Sequence, residues 1–171
     1  METFGISSFT FWSAYIASNL VAITLIWSSS KYPRYTKAAF FAIFIAAASV
    51  NTYIALDSPW AYQDYADTAV PLYKQFILGA FEAIITPMVL IIAFAQMMIA
   101  VSMLLKGKPL IAGCWAGMIF GISIAPLGFY AAFPSTILMA VALFRLQRNE
   151  NATAPSTKSS KAARIVTFAL K

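Results

Sequence analysis

The sequence contains no histidine and a single cysteine, Cys114. One cysteine excludes a disulfide within the chain. The missing imidazole excludes His-ligated haem, His-bound zinc or copper, and Ser-His-Asp catalysis. Charge is also scarce: 11% of residues are charged, against roughly 25% in a typical soluble domain. What fills the space is apolar. Of 171 residues, 61% are hydrophobic, and the mean hydropathy is +0.76. Such a composition rules out a disordered chain and points to a protein solvated mainly by lipid.

A membrane helix needs about 20 mostly apolar residues, and four regions supply them. Phe11 to Ser29, Ala38 to Leu56 and Pro87 to Leu105 each suit one span. Leu110 to Leu146 is too long for one helix and contains Pro126, Gly128 and Pro134. It reads as a hairpin of two short spans, 110–125 and 134–147, turning at Pro126-Leu127-Gly128. The expected fold is therefore all-α: a polytopic membrane helical bundle of four to five spans over residues 1–148, followed by a polar basic tail, 149–171.

The cations choose between four spans and five. Every Lys and Arg except Lys74 falls at Lys31/Arg34/Lys37, at Lys106/Lys108, or between Arg145 and Lys171. Cations flanking spans stay on the cytoplasmic side. Five spans put all three clusters there, with the N-terminus outside and the C-terminus inside. Glu2, Asp57, Asp64, Asp67 and Glu82 then lie at or near the outer surface. Four spans, with one long last helix, would put the C-terminal cations outside. The net charge of +6 thus reads as topology, and no nucleic-acid partner is expected. Met-Glu-Thr-Phe-Gly lacks a positive n-region, so no cleavable signal peptide is expected.

Residues 57–86 form the external segment. Asp57-Ser58-Pro59 resembles a helix start. A short helix would follow through Trp60, Tyr62, Tyr65 and Ala66, ended by Pro71. Trp60, Tyr62, Tyr65 and Tyr73 suit the headgroup level. Leu72 to Thr86 reads as an external amphipathic helix, because Lys74, Gln75, Gly79, Glu82 and Thr86 share one arc of about 140°. Phe76, Ile77, Phe81, Ile84 and Ile85 cover the rest. Such a helix either lies in the outer interface or turns Glu82 into the bundle.

Gly113, Gly117, Gly121 and Ala125 recur at every fourth position and form a smooth stripe. It serves helix packing within the bundle or a subunit interface. Asn19, Asn51 and Gln96 lie inside spans, where each can bond a neighbouring helix for roughly 0.6 to 2 kcal/mol. Cys114 reads as a small buried hydrophobe, and Met97 and Met98 as core or lipid-facing residues. Asn151-Ala-Thr is a glycosylation sequon expected to stay cytoplasmic and unmodified. Ala162 to Lys171 could dock on anionic lipid or on a partner.

Several short motifs carry a resemblance. Ala61-Tyr-x-x-Tyr-Ala-Asp67, Pro71-Leu72-Tyr73, the turn Leu104-Leu105-Lys106-Gly107-Lys108, and Ile124-Ala125-Pro126-Leu127-Gly128 follow in order. Over about residues 38–148 the chain resembles a branch of the DoxX-like membrane proteins. The resemblance implies a compact helical membrane bundle. It also implies kinship with small subunits associated with quinone-linked redox enzymes. In that family the helix before the Lys-Gly turn often carries a Glu and a Gly; Gln96 and Ala100 stand at the matching positions here, which departs from the pattern.

The expected function is a non-catalytic accessory subunit of a larger membrane complex, of redox, respiratory or photosynthetic type, with membrane lipids and other integral membrane subunits as partners. The alternative is a small membrane protein that binds or transports a quinone, a lipid or another small apolar molecule. Its candidate polar site comprises Glu82, Gln96, Tyr53 and Trp60. No metal or resident cofactor is expected, though bound lipid or quinone is compatible with the sequence. An enzyme is the least favoured class, because no nucleophile–base pair or cofactor fingerprint is visible.

Overall fold

A computed structural model describes residues 7–153. Among them there is no strand. The chain forms α1 (Ser8–Lys31), α2 (Pro33–Asp57), α3 (Pro71–Ile77), α4 (Ile85–Met103), α5 (Lys108–Ile124) and α6 (Ser135–Thr153). Three 3-10 segments, Pro59–Asp67, Glu82–Ile84 and Ala125–Ala131, join them. Four stretches are long and apolar enough to cross a membrane: α1, α2, Glu82–Met103 and Lys108–Ala131. That is the mark of an integral membrane protein. α6 falls outside this set because its last two turns carry Arg145, Arg148 and Glu150.

Helix ends follow local chemistry. Ser7 caps α1, its hydroxyl accepting the Thr10 N–H at 3.2 Å. Pro33, Pro71, Pro87 and Pro109 each sit in the first turn of a helix, where a missing N–H costs no helical bond. Gly128 adopts φ +81°. It lies so close to the Thr68 carbonyl that a Cβ would collide with it.

α2 lies along α4, α4 on α5, α5 on α6, and α6 on α1; α1 packs on α6 more than on α2, its neighbour in sequence. The main core holds Phe40, Phe44, Ile99, Met103, Leu110, Cys114, Leu143 and Leu146. The small-residue stripe lets these helices close on one another. A Cβ on Gly113 would overlap the Ser102 side chain. One on Gly117 would lie 2.7 Å from Leu143 Cδ1, and one on Gly121 2.9 Å from the Thr136 carbonyl oxygen. The stripe therefore packs inside the chain, against α4 and α6.

The two ends of the bundle are tied differently. At one end, Glu150 Oε1 accepts the Gly107 N–H at 2.8 Å, and Glu150 Oε2 lies 3.7 Å from Lys37 Nζ. Asn149 Nδ2 donates to the Ser29 carbonyl at 2.8 Å. These bonds bring the last turns of α6 to the same end as the α1–α2 turn and the α4–α5 turn. At the other end, the Val70 N–H donates to the Pro126 carbonyl at 3.0 Å. The Thr68 hydroxyl donates to the Leu127 carbonyl at 2.7 Å, and the Tyr73 hydroxyl to the Ser123 carbonyl at 2.9 Å. A second core of Ala55, Tyr62, Ala66, Ile77, Phe81, Ile85 and Val89 sits there.

Residues 110–146 form two helices rather than one long helix, with the break where Pro126 and Gly128 predict it. The amphipathic helix expected over 72–86 is not continuous. α3 stops at Ile77, a turn covers Leu78 to Phe81, and a 3-10 turn leads into α4 at Ile85. Pro87 cannot donate the backbone bond that a helix running through from α3 requires, so it starts a new helix instead. The short helix after Pro59 is 3-10 and ends at Asp67; Pro71 opens α3 rather than closing what precedes it. Ser58 makes no side-chain capping bond. Asn19 bonds back to the Tyr15 carbonyl of its own helix, at 2.9 Å, and not across to a neighbour. α6 continues to Thr153, so Asn149 and Glu150 belong to the bundle and not to a tail. The residues after 153, including the expected docking segment Ala162 to Lys171, lie outside the described residues, as does Glu2.

Candidate functional site

Polar groups within an apolar bundle are conspicuous because each must find a partner or lose solvation. Gln96 is 2% exposed, midway along α4. Its side-chain oxygen accepts Asn51 Nδ2 of α2 at 2.8 Å. Asn51 Oδ1 in turn accepts the Tyr62 hydroxyl at 2.9 Å, and the same hydroxyl lies 3.3 Å from the Asn51 carbonyl. The result is a partly buried chain, Tyr62–Asn51–Gln96, leading from the 3-10 segment Pro59–Asp67 into the α2–α4 contact. Near its outer end, the Thr86 hydroxyl donates to the Ala55 carbonyl at 3.1 Å.

Burial, with a smaller contribution from neighbouring Tyr65, pushes the Tyr62 phenol up to about 12. Burial raises the Tyr65 phenol as well. Their rings stack at 6.1 Å between centroids. Tyr62 therefore remains a protonated donor to Asn51 at any physiological pH.

A separate open cavity of about 470 Å³ lies where the 3-10 segment after α2 meets the start of α4. Its lining includes Pro59, Trp60, Gln63, Glu82, Thr86 and Pro87. Trp60 is 66% exposed. The Glu82 side chain is exposed and makes no hydrogen bond or ion pair among the described residues.

The four residues singled out from sequence do not form one site. Trp60 and Glu82 share the open cavity. Gln96 belongs to the partly buried chain with Asn51 and Tyr62. Tyr53 is 66% exposed on α2 and lines neither. Gln63 and Thr86 of the cavity were not foreseen as site residues. Tyr62 is buried against the bundle, with its hydroxyl on Asn51. The pairing of Asn51 with Gln96 had a signal, since both are amides in apolar spans, but nothing local says that α2 lies on α4. Among the described residues no three His, Cys, Asp or Glu side chains gather as metal ligands. Comparison with family models, with characterised proteins and with solved structures finds no match.

Proposed function

We propose that the chain is a non-catalytic membrane subunit that crosses the bilayer five times and packs against other integral membrane proteins of a larger complex. The observation that carries the proposal is the outward face of α1. Phe9, Ile16 and Ile23 recur at seven-residue spacing, and so do Leu20 and Trp27; all five are exposed. α1 is also the least buried of the four candidate spans, at 11% of its apolar stretch, which leaves most of its apolar face for neighbouring helices or lipid. The in-span amides Asn51 and Gln96, by contrast, bond to each other.

The topology has its own support. Trp27, Tyr32 and Tyr35 are exposed at the cation-bearing end, with Lys31 Nζ 5.2 Å from the Trp27 ring. Trp12, Tyr53, Trp60 and Phe129 are exposed at the other. Two aromatic girdles separated by apolar surface are the pattern of a membrane-spanning bundle. On this reading the N-terminus is outside and the C-terminus cytoplasmic. The DoxX-like resemblance favours a redox-linked complex as host.

A photo-crosslinking residue placed at Ile16 or Ile23, with a control at exposed Phe94 of α4, tests the proposal in native membranes. The expected result is protein adducts from α1 and lipid adducts alone from Phe94. Lipid adducts alone from all three positions, with recovery as a free monomer in mild detergent, would overturn it. The second reading, a binder of a small amphiphile, rests on the open cavity beside Trp60 and Glu82.

A further inference from the structure

We infer that the cavity beside Trp60 and Glu82 binds a primary ammonium group, supplied by the ethanolamine headgroup of a membrane lipid. This deepens the second reading above and does not depend on the chain having protein partners.

The cavity offers what an ammonium needs. Glu82 supplies a carboxylate with no partner among the described residues. Lys74 of α3 is not part of the lining. Trp60 presents an exposed indole, the best ring for holding a cation over its face. Gln63 adds an amide oxygen that can accept a second N–H. Pro59, Ile85 and Pro87 complete the lining with apolar surface.

The same details select within the class. A quaternary ammonium has no N–H to donate and is held by several aromatic faces; this cavity has one. A primary ammonium donates three hydrogen bonds, which suits Glu82 and Gln63 beside the single ring. An anionic headgroup would meet the Glu82 carboxylate with no lining cation to offset it. The cavity also sits where α2 ends and α4 begins. That is the headgroup level on the proposed topology, and exposed Ile84 and Ile91 follow on the next stretch of this chain, where acyl chains would lie.

The full-length protein in mild neutral detergent is examined by native mass spectrometry. Lipids with ethanolamine, choline or glycerol headgroups and identical acyl chains are added in turn. Ethanolamine-lipid adducts should dominate. Glu82→Gln and Trp60→Leu should each weaken them by about tenfold, the scale of one charge-assisted contact, and leave the glycerol-lipid adducts unchanged. Both side chains are exposed, so thermal unfolding should match the wild type and exclude misfolding. Free ethanolamine tests the source. If it displaces the lipid only at far higher concentration, the lipid source is supported. If it binds more tightly than the lipid, in a manner sensitive to Glu82→Gln, the ammonium site stands and the lipid assignment falls. Equal ethanolamine-lipid binding by wild type and both variants would overturn the inference.

Discussion

Tyr62 shows how one side chain links the external segment to the membrane core. Its hydroxyl joins the 3-10 segment to Asn51, and through Asn51 to Gln96. Because its pKa rises from 10.0 unfolded to about 12 folded, the folded state holds a proton that the unfolded state releases between those values. The sign follows: this contribution is intact below pH 10 and is lost as pH climbs toward 12. Tyr62→Phe should cost about 1 kcal/mol at pH 8 from the lost hydrogen bond, yet should flatten the alkaline decline. Thermal unfolding in detergent at pH 8 and pH 11.5 measures both. If wild type and variant lose the same stability over that interval, Tyr62 is not the group responsible.

At the scale of elements, Gly117 is the sharpest test of how α5 and α6 meet. In a helix that packed loosely, Gly→Ala would stabilise by about 0.8 to 1 kcal/mol. Here the added Cβ meets Leu143 Cδ1 at 2.7 Å and Phe44 Cζ at 3.3 Å; both side chains are buried in the core with little room to give, so the sign should reverse. Overpacking of this kind costs about 1 to 3 kcal/mol. Gly117→Ala should lower the melting temperature, and Leu143→Val should recover part of the loss in the double variant. A melting temperature raised by Gly117→Ala alone would contradict the close approach. The same elements show what is legible in a sequence. The stripe and the break after Ile124 are readable, because small residues and Pro or Gly act locally. The partners of the stripe, Ser102, Leu143 and Thr136, are not, because they depend on which helices become neighbours. The amphipathic reading of 72–86 failed for a different reason. Ile77, Phe81 and Ile85 are all buried at four-residue spacing, so the periodicity is real, yet the backbone between them is a turn and a 3-10 segment. Apolar spacing reports which side chains face inward; it does not guarantee one unbroken helix when Pro87 interrupts the bonding.

For the whole molecule, the decisive property is the separation of charge between the two ends of the bundle. Lys31, Arg34, Lys37, Lys106, Lys108, Arg145 and Arg148 share one end with Glu150, which lies 3.7 Å from Lys37 Nζ. Asp57, Asp64, Asp67 and Glu82 lie on segments at the other end. That arrangement needs α6 to return alongside α5, and the bond from Gly107 to Glu150 fixes its last turns beside the start of α5. α6 is short for a span, at 19 residues, or about 28 Å of helix. Its cations sit in the C-terminal half of the helix, where long side chains can reach the interface; Arg148 is held over the Phe144 ring at 5.8 Å. On the proposed topology this end is cytoplasmic and the chain crosses five times. Cys114 is buried, and replacing it by alanine gives a background free of thiols. In that background, cysteines at Asp64 and Lys106 should react with a membrane-impermeant maleimide from opposite faces of sealed vesicles. A cysteine at Arg148 should react from the same face as that at Lys106. Labelling of Arg148→Cys from the face that labels Asp64→Cys would mean that the last region crosses once, and the five-crossing arrangement would be wrong.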